Sequence, residues 1–403
     1  MSDPIDDFQD TSQGPLPKAW KIAQLGEILT QRVRKVEVES AQKYTRLGVH
    51  WYAEGPFRKD EVLGEEIQSK YPYTVEPEEF IYNRLFGWKG SFGVISEDMV
   101  GCYVSSEFPV FQVVRERADP WYLWRWFSQP SVWKNIEDRS QGSTRTSRLR
   151  FKIEDLLAIA VPLPPIPEQR AIAHVLRIMQ QAREATERVI EAARELKRSL
   201  MRHLFTYGPI PVAQADKVEL QETDVGLASS HWTVDDLGSF ITLQRGFDLP
   251  KRERKEGPIS VVSSSGISGS HTEAKVSGTG VVIGRYGSIG KVHFIEQDFW
   301  PLNTTLFVKN FGTCDYKFVY YLLQIIDYQS LNDKTSIPGV DRNHLHALKI
   351  AVPSKPEQQK IVRILTVVDN KIAAEEARRD ALDDLFHTLL HHLMTAKVRV
   401  RLQ

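Results

Sequence analysis

The chain has 403 residues, of which 41% are hydrophobic and 26% charged. These are ordinary globular values that exclude wholesale disorder. Its 52 Lys+Arg balance 52 Asp+Glu, which excludes a polybasic mode of nucleic-acid binding while leaving room for a local basic groove.

Taken in order, the chain opens on an acidic stretch, Met1-Ser-Asp-Pro-Ile-Asp-Asp, without the pattern of a secretory signal, and a cytoplasmic protein is expected. No apolar run approaches the ~20 residues needed to span a bilayer, so no membrane partner is expected. Cys102 and Cys314 are the only cysteines, too few for a disulfide scaffold or a cysteine-rich zinc site. Residues 1–163 form a first β-rich unit, with β-branched and aromatic clusters broken by glycine. Within it Phe80–Arg84 and Ser91–Ile95 flank a turn containing Gly87 and Gly90. A short helix follows at 119–136, where Trp121, Trp124, Trp126 and Trp133 are expected in the core. Residues 164–206 read as a long helix with Pro167 in its first turn and Gly208-Pro209 beyond its end. Residues 207–230 are polar with scattered Pro and Gly and read as a linker. Residues 231–352 form a second β-rich unit, where Gly280–Gly284, the turn Arg285–Gly290 and Lys291–Ile295 spell strand, tight turn, strand. A short helix is expected at 315–328. Residues 353–403 hold a second long helix and a tail.

The two halves repeat. At an offset of 189, residues 167–206 match 356–395 at 13 of 40 positions without a gap, beginning with Pro-Glu-Gln in both. Near the start of each half, Trp20-Lys-Ile-Ala-Gln-Leu-Gly26 echoes Trp232-Thr-Val-Asp-Asp-Leu-Gly238, now at an offset of 212. Each half is therefore a fixed frame around an insert of its own. The long segments carry heptad seams: Ile172, Leu176, Met179, Val189, Leu196, Leu200 and Leu204 in one, and Ile361, Leu365, Ile372, Leu382, Leu385, Leu389 and Leu393 in the other. Each rod is ~58 Å long at ~1.5 Å per residue. Matching stripes in one chain most simply bury each other, and the expected class is α+β. It has two β-rich domains with short helices, joined by two long helices in an antiparallel coiled coil with a pseudo-twofold internal repeat.

No catalytic engine is visible. Gly290-Lys291 lacks the preceding glycine of a phosphate loop, Gly278-Thr-Gly280 lacks the third glycine of a dinucleotide fingerprint, and His391-His392 has no metal-site context. No catalytic or metal-binding residue and no cofactor is expected in this chain. The candidate DNA-binding residues lie in loops rich in Arg, Lys, Gln and hydroxyls, which suit phosphate oxygens and base edges. In the first half these are Arg84, Lys89, Gln141, Ser143, Thr144, Arg145 and Arg148. In the second half they are Arg245, Arg285, Tyr286, Lys291, Lys334 and Arg342. A coiled-coil scaffold whose β-rich inserts bind other proteins is the alternative.

Variable insert, Pro-Glu-Gln opening a long helix, then the same again resembles the specificity subunit of a type I restriction–modification system. Ile159-Ala-Val-Pro-Leu-Pro164, Leu348-Lys-Ile-Ala-Val-Pro353 and Gly284-Arg-Tyr-Gly-Ser-Ile-Gly290 also carry the likeness. The resemblance implies two target-recognition domains, each reading one half of a bipartite double-stranded DNA site. It implies a helix pair that sets the gap between half-sites and docks two methyltransferase (modification) subunits, and motor–nuclease (restriction) subunits that join for cleavage. S-adenosylmethionine, ATP and Mg would belong to those partners, which would carry adenine-specific DNA methylation and site-specific cleavage.

Overall fold

The computed structural model describes residues 8–11, 14–67, 72–140, 149–331 and 339–400. The chain divides into two compact units, one of residues 1–185 with 378–403 and one of residues 186–377. The division falls inside the long helices, Ile166–Tyr207 and Lys355–Met394, so each unit contains half of each.

In both units a two-stranded clasp closes the insert, made from the two echoes seen in the sequence. Lys21–Gln24 pairs antiparallel with Ala160–Leu163 in the first unit, and Thr233–Asp236 with Lys349–Val352 in the second. Leu25 N donates to Ile159 O at 2.9 Å, and Leu237 N to Leu348 O at 2.8 Å, so the same bond recurs at offsets of 212 and 189. The echoed tryptophans, Trp20 and Trp232, are buried beneath the clasp.

Residues 207–230, expected as a linker, instead carry a 3-10 turn at Val212–Lys217 and a hairpin, Leu220–Thr223 with Gly226–Ser229. This hairpin repeats the first unit's Phe8–Thr11 with Gly14–Pro17. In each, a glutamine amide ties the hairpin to the buried tryptophan: Gln9 Nε2 to Trp20 O and Gln221 Nε2 to Trp232 O, both at 3.0 Å. Composition alone hid the match, because the strands are short and polar on their outer faces.

Each insert contains a four-stranded sheet of the same order. It runs 29–32, 110–113, 80–82, 92–94 in the first unit and 242–245, 305–310, 280–284, 292–295 in the second. Along the central strand the side chains alternate between two cores, as a strand buried on both faces requires. Phe80 and Tyr82 enter the larger core and Ile81 the smaller. Val281 and Ile283 likewise enter the larger, and Val282 the smaller. Trp124 and Trp126 are buried, and Trp121 and Trp133 pack partly buried on the same core.

The long helices pack antiparallel within each unit. In the first, Ile172, Leu176 and Met179 share a core with Phe386, Leu389 and Leu393, and Arg183 pairs with Asp383. In the second, Leu200 and Leu204 share a core with Ile361 and Leu365, while Arg194 pairs with Glu376 and Lys197 with Asp369. The seam needs correcting at three seats. Val189, Leu196 and Leu385 are 41%, 52% and 45% exposed, and Ile190 and Phe386 are buried in place of two of them. The buried and half-buried seats run 172, 176, 179, 183, 186, 190, 193, 197, 200, 204, and recur 189 residues on at 361 to 393. Val189 and Leu196 fit a heptad spacing as well as Ile190 and Lys197 do, but the structure seats Arg183 and Lys197 on the seam. Their aliphatic stems occupy seam seats, and their charged ends emerge onto aspartates of the other helix.

Candidate nucleic-acid interface

The repeated Pro-Glu-Gln has a positional role. Gln169 and Gln358 are buried at the start of their helices. Gln169 Oε1 accepts from Asp119 N at 2.8 Å, and its amide donates to Pro164 O at 2.8 Å and Arg117 O at 3.1 Å. Gln358 Oε1 accepts from Asp315 N at 2.8 Å, and its amide donates to Pro353 O at 3.0 Å. Asp119 and Asp315 in turn cap the helices Pro120–Trp126 and Tyr316–Gln324. One glutamine thus latches each insert to its rod. Six residues beyond each cap a second anchor differs between units: Arg125 reaches Gln180, and Tyr321 donates to Asp369 at 2.6 Å. Burial lowers the Arg125 pKa to about 10, still protonated at neutral pH.

The inserts present their cations at one end of the four-stranded sheet. In the second unit Gly246 N donates to Thr305 O at 3.0 Å and Arg285 N to Thr304 O at 2.9 Å, so Arg245 and Arg285 leave the sheet at the same edge. The Arg285 guanidinium lies 4.5 Å from the Tyr286 ring centroid. Lys291 Nζ reaches Ser265 O at 3.4 Å, and His293 meets Ser264 O at 3.1 Å. Burial holds that imidazole below its ordinary range. Arg342 is exposed two residues beyond Val340, whose N donates to Arg285 O at 3.1 Å.

The first unit builds the same edge. Arg84 N donates to Glu107 O at 2.9 Å, and Arg84 O accepts from Phe151 N at 2.8 Å. Phe151 is Val340 at the offset of 189, so Arg84 occupies the seat of Arg285. Gly90 and Gly290 close the two turns with φ of +73°. A Cβ there would lie 2.4 Å from the Trp133 ring or 2.5 Å from the Tyr328 ring, so glycine is required by both backbone sign and space. Lys89 Nζ sits 3.7 Å from the Trp51 ring centroid, a close cation–π contact.

The sequence missed Gln31-Arg32, the counterpart of Gln244-Arg245 at the same strand end. The pair stands at an offset of 213, one residue out of register with the echo, because the stretch from Gly238 to Gln244 is one residue longer than that from Gly26 to Gln31. It also missed Trp51 and Tyr52. Gln141, Ser143, Thr144, Arg145, Arg148 and Lys334 lie outside the described residues. Among the described residues no group of three or more His, Cys, Asp and Glu could hold a metal ion, and no helix is long and apolar enough to cross a membrane.

A family model, the type I restriction modification DNA specificity domain, matches residues 17–193 and again 229–383. Two copies cover most of the chain, and their starts differ by the 212 residues of the tryptophan echo. The chain belongs to the type I restriction modification DNA specificity family. It is 21% identical to a putative type I restriction enzyme MjaX specificity subunit of Methanocaldococcus jannaschii, covering 98% of this chain and 97% of that one. It is 20% identical, over the same shares, to the MjaVIII specificity subunit of that organism. Its fold resembles the crystal structure of a type I restriction–modification S subunit from M. genitalium, with TM-score 0.65, 16% identity and coverage of 95% and 97%. It also resembles a chain solved in a study of complex assembly and conformational transition of a type I R-M system, with TM-score 0.53, 15% identity and coverage of 95% and 99%. As a specificity subunit the chain has a non-catalytic role, and nothing favours the scaffold alternative.

Proposed function

We propose that each insert reads one half of a bipartite double-stranded DNA sequence, that the two long helices fix the gap between the halves, and that the frame docks two methyltransferase subunits. The observation that carries this is two heads with one sheet order, one clasp and one glutamine latch, but different turns beside the shared arginines, Leu85-Phe86-Gly87-Trp88-Lys89 in one and Tyr286-Gly287-Ser288-Ile289 in the other. A common frame with private rims is what two independent readers need, since base contacts differ between half-sites while their mounting does not. Zero net charge accords with partners that share the phosphate contacts.

Docking in two copies is supported by a groove that recurs in each unit where a long helix ends against the hairpin. In the first unit Leu16, Pro162, Met394 and Thr395 line it. In the second Ala228, Ala351, Phe205 and Thr206 line it at the same repeat positions. S-adenosylmethionine, and the ATP and Mg of motor–nuclease subunits, would be held by those partners, which would perform adenine methylation and cleavage in the cytoplasm.

The test is to co-express the chain with its neighbouring methyltransferase gene and map methylated sites. A two-part motif with a fixed gap is expected. Methylation without a motif, or equal retention on all sequences, overturns the reading. Inserting one heptad into both helices keeps the seam in phase and lengthens each rod by about 10 Å. The required gap should grow by about three base pairs, and an unchanged gap removes the spacer role.

A further inference from the structure

The hairpin Lys43–Val49 with Pro56–Leu63 turns at Trp51-Tyr52-Ala53-Glu54, closed by Glu54 N donating to Trp51 O at 3.3 Å. Tyr52 and Ala53 have φ of +56° and +58°, the left-handed pair of a type I′ turn that Asn-Gly normally fills. An aromatic and an alanine in that place break a local rule, which natural sequences do chiefly where function demands it. The turn is held firmly. Tyr52 N donates to Lys89 O at 2.7 Å and Ala53 N to Gly90 O at 2.8 Å, tying it to the turn that carries Arg84. Gly55 lies so close to Trp124 that a Cβ would be 2.6 Å from that ring.

This rigid tip holds its two rings in water. Tyr52 is 61% exposed and Trp51 40%. Trp51 lies 5.2 Å from the Phe86 ring, beside an open cleft of about 410 Å³ whose walls include His50, Phe57 and Asn83. Lys89 lies over Trp51 at 3.7 Å, and Arg84 leaves the adjacent strand. Exposed, preorganised rings flanked by cations match the chemistry of a duplex contact in which side chains wedge at a base step and cations face phosphates. Among the described residues the second unit has no such tip: the equivalent hairpin turns through Ser264-Ser265, whose carbonyls meet His293 and Lys291.

We infer that Trp51 and Tyr52 are specificity-determining residues of the first unit, packing their rings on bases of the half-site it reads. The inference rests on the DNA-reading proposal. The two units then recognise their half-sites by different chemistry, aromatic packing in the first and hydrogen bonding in the second.

The test uses the chain assembled with its methyltransferase partner, with Tyr52→Ser, Tyr52→Phe and Trp51→Ala in the first unit and Arg285→Ala as the control in the second. Site maps are read by sequencing, and binding to the wild-type site and to unrelated DNA is measured over a range of salt. Tyr52→Ser and Trp51→Ala should each weaken the specific site about 5- to 150-fold, relaxing bases in one half of the motif alone, and Tyr52→Phe should retain binding. The salt slope should not change, because no cation is lost. Arg285→Ala should relax the other half. An unaltered motif and affinity in Tyr52→Ser and Trp51→Ala overturns the inference, as does relaxation of both halves or weakening equal on specific and unrelated DNA. If the wild-type complex itself shows no two-part motif, it is the DNA-reading proposal that has failed.

Discussion

Replacing Gln169 by Ala should release the first insert from its rod while leaving the second insert mounted. The side chain makes three hydrogen bonds, at 2.8, 2.8 and 3.1 Å, and is fully buried. Each bond contributes about 1 kcal/mol net, and the buried Pro164 carbonyl loses a donor that water cannot readily replace, so the loss should total about 3–4 kcal/mol. Amide exchange resolves the two units directly. The Asp119 amide and the first turn of Pro120–Trp126 should exchange about 150- to 900-fold faster, while Asp315 and Tyr316–Gln324 keep their protection. Gln358→Ala should give the mirror image. Gln169→Glu should rescue only the bond from Asp119 N, because a carboxylate still accepts but has no proton to offer the carbonyls of Pro164 and Arg117. A loss below about 1 kcal/mol, or equal deprotection of both helices, would refute the latch.

The seam separates two readings of the first long helix. Ile190→Ala should cost about 2–4 kcal/mol in denaturant titration, and Leu196→Ala less than about 0.5 kcal/mol; the reverse order would restore the seat at Leu196. Cys102 and Cys314 are buried, and burial pushes both thiols up. Native protein at pH 8 should therefore react slowly with a disulfide reagent until denaturant is added, and fast labelling would show an open core. Glu357 is pushed up by burial, but donors from His231 and Ser354 outweigh that and hold its carboxyl below the usual range. Its contribution is present above the unfolded carboxylate pKa and is lost as pH falls through the depressed folded value. His231→Ala should flatten that acid-side slope, and an unchanged slope would show that the pair does not couple to folding.

How much of this was legible in the sequence depends on whether a feature is written in neighbouring residues or across the fold. The duplication, the two rods, the Gly-rich hairpin and the private inserts are local patterns, read from offsets of 189 and 212. The Pro-Glu-Gln repeat marked Gln169 and Gln358 as paired positions, but nothing local says that they reach helix caps some 50 and 40 residues away. Arg84 and Arg285 sit in turns of dissimilar sequence and are equivalent only through sheet pairing and the bonds to Phe151 and Val340. The match of Gln31-Arg32 with Gln244-Arg245 is displaced by one residue from the tryptophan echo, and only the pairing of each strand with 110–113 or 305–310 brings the two into the same place.

The sequence by itself determined that this protein has two frames, two inserts and two heptad rods, because periodicity and repetition follow from the backbone's own geometry. Only the tertiary structure decided which face of each rod is buried. A heptad spacing is satisfied equally by Leu196 or by Lys197, and the choice rests on whether an aspartate on the other helix meets the lysine. It also decided which side chains stand at the reading edge, since that edge is assembled from strand ends far apart in the chain.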